Sequence, residues 1–265
     1  QTIVREGGLL RFGQRHLRAI HPVSVQATAA PGKAPEPRTL FRKIIERKLL
    51  HTGVTPEAAA PGDGVFVQPD WRFIHEYYTG MAAHLLQATF NDAAVMRDPE
   101  SIVVFEDHSA YVEESPAHLR HGLVPNMHAM MKAQRDFVAR HRLHEYRTLT
   151  EAESQRDDGS HVAGISHAMM AEHHALPGQL VVGTDSHTTH SGALGCAAYG
   201  VGTTDMANAF VTGTVRLTLP REIRVVLDGR LPEGVTAKDV VLHLLALPDM
   251  RRGDHIGRDR KSTRL

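Results

Sequence analysis

At 265 residues, 42% hydrophobic and 23% charged, the chain is long enough and apolar enough to bury a sizeable core. Its 30 basic and 30 acidic side chains cancel, which argues against a general nucleic-acid or membrane-surface binder, since both need a positive excess. A single cysteine, Cys196, excludes an internal disulfide and fits a reducing, cytoplasmic setting.

In chain order, no secretory pattern opens the sequence, and Gln1 in place of a Met leaves the natural start open. Residues 1–38 are expected to be a poorly ordered extension, with a Pro/Ala/Gly linker over Ala29–Pro37. Thr39 then reads as the N-cap of a helix carrying Leu40, Phe41, Ile44, Ile45 and Leu49. Pro56 to Gly64 is turn-rich, and Gly64–Val67 is a short strand candidate. Ile74, Tyr77, Tyr78, Met81, Leu85 and Phe90 recur at helical spacing and predict a helix over 74–90. Ile102–Phe105 is an apolar strand that ends at Glu106-Asp107-His108. A long amphipathic helix is expected over 123–141 and another over 166–174.

Gln179–Val182 is a second buried strand, ending at Gly183-Thr184-Asp185-Ser186-His187. The glycines Gly192, Gly195, Gly200 and Gly202 then allow close backbone approach. Thr203–Phe210 reads as a helix, Glu222–Leu227 as an alternating strand, and Thr236 as the cap of a helix running to Leu247. No apolar run approaches ~18 residues, so no membrane span is expected. Strands alternating with helices predict an α/β fold with a largely parallel, buried sheet.

Both apolar strands end in an acid beside a histidine, Asp107-His108 and Asp185-Ser186-His187. In open α/β sheets ligands sit beyond the carboxyl ends of strands, so both pairs stand where a site would be. A carboxylate beside an imidazole fixes its tautomer and raises its pKa, which suits a reaction that removes hydroxide as water. Asp185, Ser186 and His187 do not read as a nucleophilic triad, because adjacent side chains diverge and no Gly-x-Ser-x-Gly elbow is present. Ser186 is better placed to bind a substrate carboxylate. Taken alone, His167 reads as a capping or packing residue; like His75-Glu76, it gains weight from its company. The spacing Gly195-x4-Gly200-x-Gly202 is not that of a dinucleotide site. Among 19 histidines there is no His-Glu-x-x-His, so spacing gives no zinc signature, and one cysteine cannot ligate a four-iron cluster.

Gly164-Ile165-Ser166-His167, Leu176-Pro177-Gly178, Gly183-Thr184-Asp185-Ser186-His187-Thr188, Gly192-Ala193-Leu194-Gly195 and Gly200-Val201-Gly202 together resemble the aconitase superfamily. Ile74-His75-Glu76, Asp107-His108, Asp228–Pro232 and Gly234–Asp239 extend the resemblance over roughly 39–257. His75-Glu76 with Thr79 looks most like the large-subunit branch of 3-isopropylmalate dehydratase.

The resemblance implies a truncated three-layer α/β/α fold. Residues 39–220 would be a first domain and 221–257 the start of a second; independently, 258–265 resembles the translation of a sequencing-library adapter and reads as an artefact. The resemblance implies a hydro-lyase that dehydrates and rehydrates a 2- or 3-hydroxy di- or tricarboxylic acid, 2-/3-isopropylmalate of leucine biosynthesis foremost. Aconitase or homoaconitase is the alternative; an RNA-binding relative or a His-rich metal-binding module are readings of another class.

It also implies a 4Fe-4S cluster in the full-length parent, held by cysteines beyond residue 257 and not by this fragment. The implied partners are a small hydroxy-acid substrate and a small subunit or fused swivelling domain, without nucleic acid or membrane. By resemblance, Asp107, His108, His167, Asp185 and His187 are catalytic and His75 and Ser186 bind substrate. Asp107 would pair with His108, His167 with Asp185, and His187 with an acid further along; the fragment alone would be inactive.

Overall fold

The computed structural model describes residues 2–17, 38–50, 59–109, 116–123, 126–156, 158, 161–223 and 225–251. The elements begin with α1 (Thr2–Arg5), α2 (Leu9–Phe12) continued by a π-helical turn (Gly13–Leu17), α3 (Leu40–Lys48), β1 (Gly64–Val67), β2 (Trp71–His75) and α4 (Glu76–Phe90). There follow β3 (Ile102–Phe105), α5 (Pro116–Arg120), α6 (Met127–His141), β4 (His144–Tyr146), α7 (Glu151–Ser154) and α8 (Ser166–Met169) with a π turn (Met170–His174). The chain continues with β5 (Leu180–Gly183), a 3-10 segment (Thr188–Leu194), β6 (Ala197–Gly200), α9 (Thr203–Thr212), β7 (Val215–Thr218), α10 (Ala237–Ala246) and α11 (Pro248–Arg251). Two compact units result: Gln1–His51 with Val67–Val215, and Thr52–Phe66 with Arg216–Leu265.

The first unit is an α/β fold on a five-stranded sheet of order β4-β3-β2-β5-β6, parallel throughout. β3 and β5 are buried along their whole length, as strands covered on both faces must be. Alternation separates the faces. Phe73, Val103, Phe105, Tyr146 and Val181 pack with Met170 and Ala175 on one side. On the other, Arg72 of β2 donates to Ala209 O of α9 at 2.6 Å, to Arg97 O at 2.6 Å, to Asp98 O at 2.9 Å and to Ser101 Oγ. Burial pushes this guanidinium down to about 10.

β2 overturns part of the expected 74–90 helix. Ile74 and His75 belong to the central strand, pairing with Val104 and Phe105, and the helix starts at Glu76. Ile74 fits the helical period by coincidence; its burial comes from the sheet. Likewise α6 starts at Met127 rather than 123, behind Asn126 in a left-handed conformation (φ 64°). The 166–174 helix is α only to Met169 and widens into the π turn. β4, β6 and β7 had no signal strong enough to predict.

Residues 2–17, expected to lack order, are helical: Leu10 and Leu17 are buried, and α2 and its π turn pack on α9. The linker at 29–37 and the tail at 258–265 lie outside the described residues. Thr39 caps α3 as expected, its Oγ1 accepting from Arg42 N at 3.1 Å.

In the second unit β1 and β7 form a two-stranded sheet. Thr236 and Asp239 close a capping box on α10. The expected strand over 222–227 is absent among the described residues there. Val226 and Leu227 are exposed and no described strand pairs with them, and alternation cannot supply a partner.

Candidate active site

β3, β2 and β5 are adjacent and parallel, so their carboxyl ends lie side by side. β2 ends at His75, β3 runs on into Glu106-Asp107-His108, and β5 into Thr184-Asp185-Ser186-His187. Gly183 makes the last turn possible: a Cβ there would stand 2.3 Å from the Phe73 ring and 2.7 Å from Thr188 Oγ1. Only glycine allows that approach.

The histidine rings converge. His75 and His108 lie with centroids 4.4 Å apart, and Tyr77 and Tyr78 complete the ring cluster around them. Asp185, 3% exposed, is the shared carboxylate. Its Oδ2 accepts the His187 backbone N–H at 2.6 Å and lies 3.4 Å from His167 Nδ1 and 3.8 Å from His187 Nδ1. The His167 ring stacks on His187 at 5.0 Å and meets His190 at 5.2 Å. Ligand atoms of His75, His108 and Asp185 all fall within 4.8 Å of one another, as do those of His167, Asp185 and His187.

Asp107 and Ser186 make contacts that the sequence did not indicate. Among the described residues no ion pair joins Asp107 to His108. Asp107 Oδ2 accepts from Ser166 N at 3.0 Å and Ser166 Oγ at 2.6 Å, so it anchors the start of α8 and thereby His167. Adjacent side chains leave a turn in different directions, and α8 supplies two donors to the carboxylate. Ser186 is exposed and its Oγ bonds the Nδ1 of its neighbour His187 at 3.1 Å. His187 itself is 72% exposed at its side chain, open to a partner from outside this unit's core.

Burial sets the protonation states. The His75 imidazole is pushed below its ordinary value by desolvation first and by His108 next, against the opposing pull of Glu76, Asp185 and Asp107. The His167 ring is also held down, again by desolvation first, with Asp185 opposing and His187 and His190 adding to it. At both rings burial outweighs the neighbouring acids, which favours the neutral form.

Glu76 was noted in the sequence only as a neighbour of His75. It is fully buried and accepts from Asp107 N at 3.0 Å, Ser109 N at 2.8 Å and Ser109 Oγ at 2.7 Å. It holds the turn that presents His108 to His75. Ser166 was likewise passed over as a contributor. The one local signal was an acid immediately after a strand-end histidine; nothing in the spacing links Asp107 to Ser166, 59 residues away.

The cluster expected of the parent does not fit these residues. The chain's one thiol, Cys196, donates to Leu176 O at 3.1 Å and packs against the Phe73 core cluster. Three or four thiolates are required.

A parallel sheet of this order, with histidines and a carboxylate gathered at three strand ends, defines an α/β protein, and comparison with known proteins places it. The model of the aconitase family (aconitate hydratase) matches residues 42–255, and the chain belongs to that family. The large subunit 1 of 3-isopropylmalate dehydratase of Methanopyrus kandleri is 33% identical over 208 residues, covering 77% of this chain and 42% of the relative. The chloroplastic large subunit of Arabidopsis thaliana is 27% identical, covering 86% of this chain and 42% of the relative. A segment of 82 residues is 48% identical to the large subunit of Saccharolobus solfataricus, covering 31% of this chain and 20% of that protein. The chain spans about two fifths of the length of the first two of these relatives. No helix among the described residues is long and apolar enough to cross a membrane.

Proposed function

We propose that this chain is part of a hydro-lyase that interconverts hydroxy acids through an alkene acid, with 2- and 3-isopropylmalate as its substrates. The observation that carries the reading is Asp185 at the end of β5, facing His167 at 3.4 Å within reach of His75 and His108. In this reading the neutral His75 or His167 takes the proton leaving carbon, and the imidazolium so formed passes a proton to the departing hydroxyl, which leaves as water. Asp185 steadies whichever ring becomes cationic. Ser186 Oγ, exposed at the turn, binds a substrate carboxylate, and Asp107 acts through Ser166 to set the angle of His167.

The 4Fe-4S cluster and a small subunit or swivelling domain would come from polypeptide outside these residues. The relatives are named as large subunits, which supports a subunit partner, and a cytoplasmic location accompanies this reading. The test is an assay of the protein extended to the length of its relatives, with its partner subunit, following alkene absorbance from 2-isopropylmalate. His167→Asn is expected to lower kcat by about 10²–10⁴. Absence of alkene from every hydroxy di- and tricarboxylate offered refutes the reading.

A further inference from the structure

We propose that Tyr77 and Tyr78 form the wall of the candidate site that receives the branch of the hydroxy acid, and so select an isopropyl group over a smaller or a charged one. The proposal rests on the hydro-lyase reading and adds to it the residues that choose the substrate.

Helical spacing groups Tyr77, Tyr78 and Met81 with Phe90 as one apolar series. In the structure the buried face of α4 carries Thr79, Ala82, Leu86 and Phe90, while Tyr77, Tyr78 and Met81 are 44%, 37% and 56% exposed. Positions three and four apart are neighbours on a helix surface, so Met81 adjoins both tyrosines. Large apolar side chains that leave the core face and gather in one place mark a binding surface.

Its position says what it binds. α4 begins directly after His75, so its first turn stands at the carboxyl end of β2. The Tyr77 ring lies 4.8 Å from that of His108 at a tilt of 35° and 5.7 Å from that of His75, and the Tyr78 ring meets His75 edge-on at 4.9 Å. Each tyrosine thus touches a site imidazole and is open to solvent elsewhere. An acid whose hydroxyl reaches these imidazoles brings its branch within reach of the two rings.

Charge decides between branches. The charged groups that act most on His75 are His108, Glu76, Asp185 and Asp107, with no Lys or Arg among them. A carboxymethyl branch at this wall would lie near carboxylates and unpaired against aromatic rings, which is costly. An isopropyl branch buries its methyl groups on those rings, the usual role of an aromatic lining.

The extended protein with its partner subunit would be assayed for kcat/KM on 2-isopropylmalate, on 2-methylmalate, which shortens the branch, and on citrate, which makes it carboxymethyl. Tyr77→Ala and Tyr78→Ala combined in one protein are expected to lower the preference for the isopropyl acid by about 10–200-fold. Tyr77→Phe with Tyr78→Phe keeps both rings and should keep the preference. Leu176→Ala, at an exposed apolar residue ahead of β5, should change nothing. All these positions are exposed, so the variants are expected to fold. If the unaltered protein turns over no hydroxy acid, the hydro-lyase reading fails and this proposal with it. If it turns over 2-isopropylmalate and the double alanine variant keeps the preference, this proposal alone fails. A double alanine variant that loses all three acids equally, or that no longer retains the partner subunit in gel filtration, also overturns it.

Discussion

Two histidine clusters share the first unit, and they differ in their company. At the strand ends, His75, His108, His167 and His187 surround Asp185, with Glu76 and Asp107 close behind. At the sheet edge, His144, His161 and His174 gather around Tyr146 and Trp71, with His144–His161 centroids 5.6 Å apart and Trp71–His174 4.9 Å. There His174 Nε2 meets the Tyr146 hydroxyl at 3.0 Å, and among the described residues no carboxylate pairs with His144 or His174. Burial and neighbouring imidazoles push His174 down to about 4, with no acid opposing. In the strand-end cluster acids do oppose. The edge cluster packs among aromatic rings, and the strand-end cluster, with its carboxylates, is the one we propose for chemistry. A histidine count cannot tell them apart, whereas the carboxylate does.

Five substitutions test that contrast. The largest effect is expected from Tyr146→Ala at the edge, where the ring stacks on Phe105 with centroids 5.1 Å apart. Stability should fall by about 3–5 kcal/mol in denaturant titrations, as for other buried aromatics. An unchanged midpoint would remove the packing role.

Glu76→Gln comes next. The amide keeps the shape but loses a charged acceptor for the N–H groups of Asp107 and Ser109, a cost of about 1–3 kcal/mol. Its distinguishing readout is the His75–His108 ring contact by NMR, which should be lost while Tyr146 and His174 stay in contact. Tyr146→Phe removes only the hydroxyl and should cost about 0.5–1.5 kcal/mol.

The smallest effect is in the pH profile, because solvent reaches His174 and screens it. Its ordinary value of 6.5 falls to about 4 in the fold, so the unfolded chain binds the proton more tightly. Stability is therefore full above about 6.5 and declines as pH falls through about 4. Glu145 acts oppositely: burial first and Glu106 next raise it from 4.5 to about 7, so its contribution is present below 4.5 and lost as pH rises through 7. His174→Gln should flatten the acid limb and Glu145→Gln the neutral one. If His174→Gln leaves the acid limb unaltered, the edge cluster is not a neutral packed one.

Much of the frame was legible locally. Thr39 and Thr236 announced their helices because capping is a matter of three residues. Ile102–Phe105 and Leu180–Gly183 announced buried strands by continuous apolarity. β2 was misread because Arg72 interrupts its apolar run, and only the carbonyls of Arg97, Asp98 and Ala209 make that arginine a core residue. The 222–227 strand was misread for the converse reason: it has the alternation, but among the described residues no strand pairs with it.

The sequence by itself determined the family, through Gly183–Thr188 and its companions, and which residue types stand at two strand ends. Only the tertiary structure decided who meets whom. Sheet order sets β2 between β3 and β5 and so puts His75 beside His108 and Asp185. Asp107 turned from a partner of His108 into an anchor for Ser166, and burial turned acid-flanked imidazoles neutral. The physical reason is one of range. Caps and periodicity act over a few residues and can be read along the chain, while pairing, desolvation and ligand geometry depend on neighbours that only folding brings together.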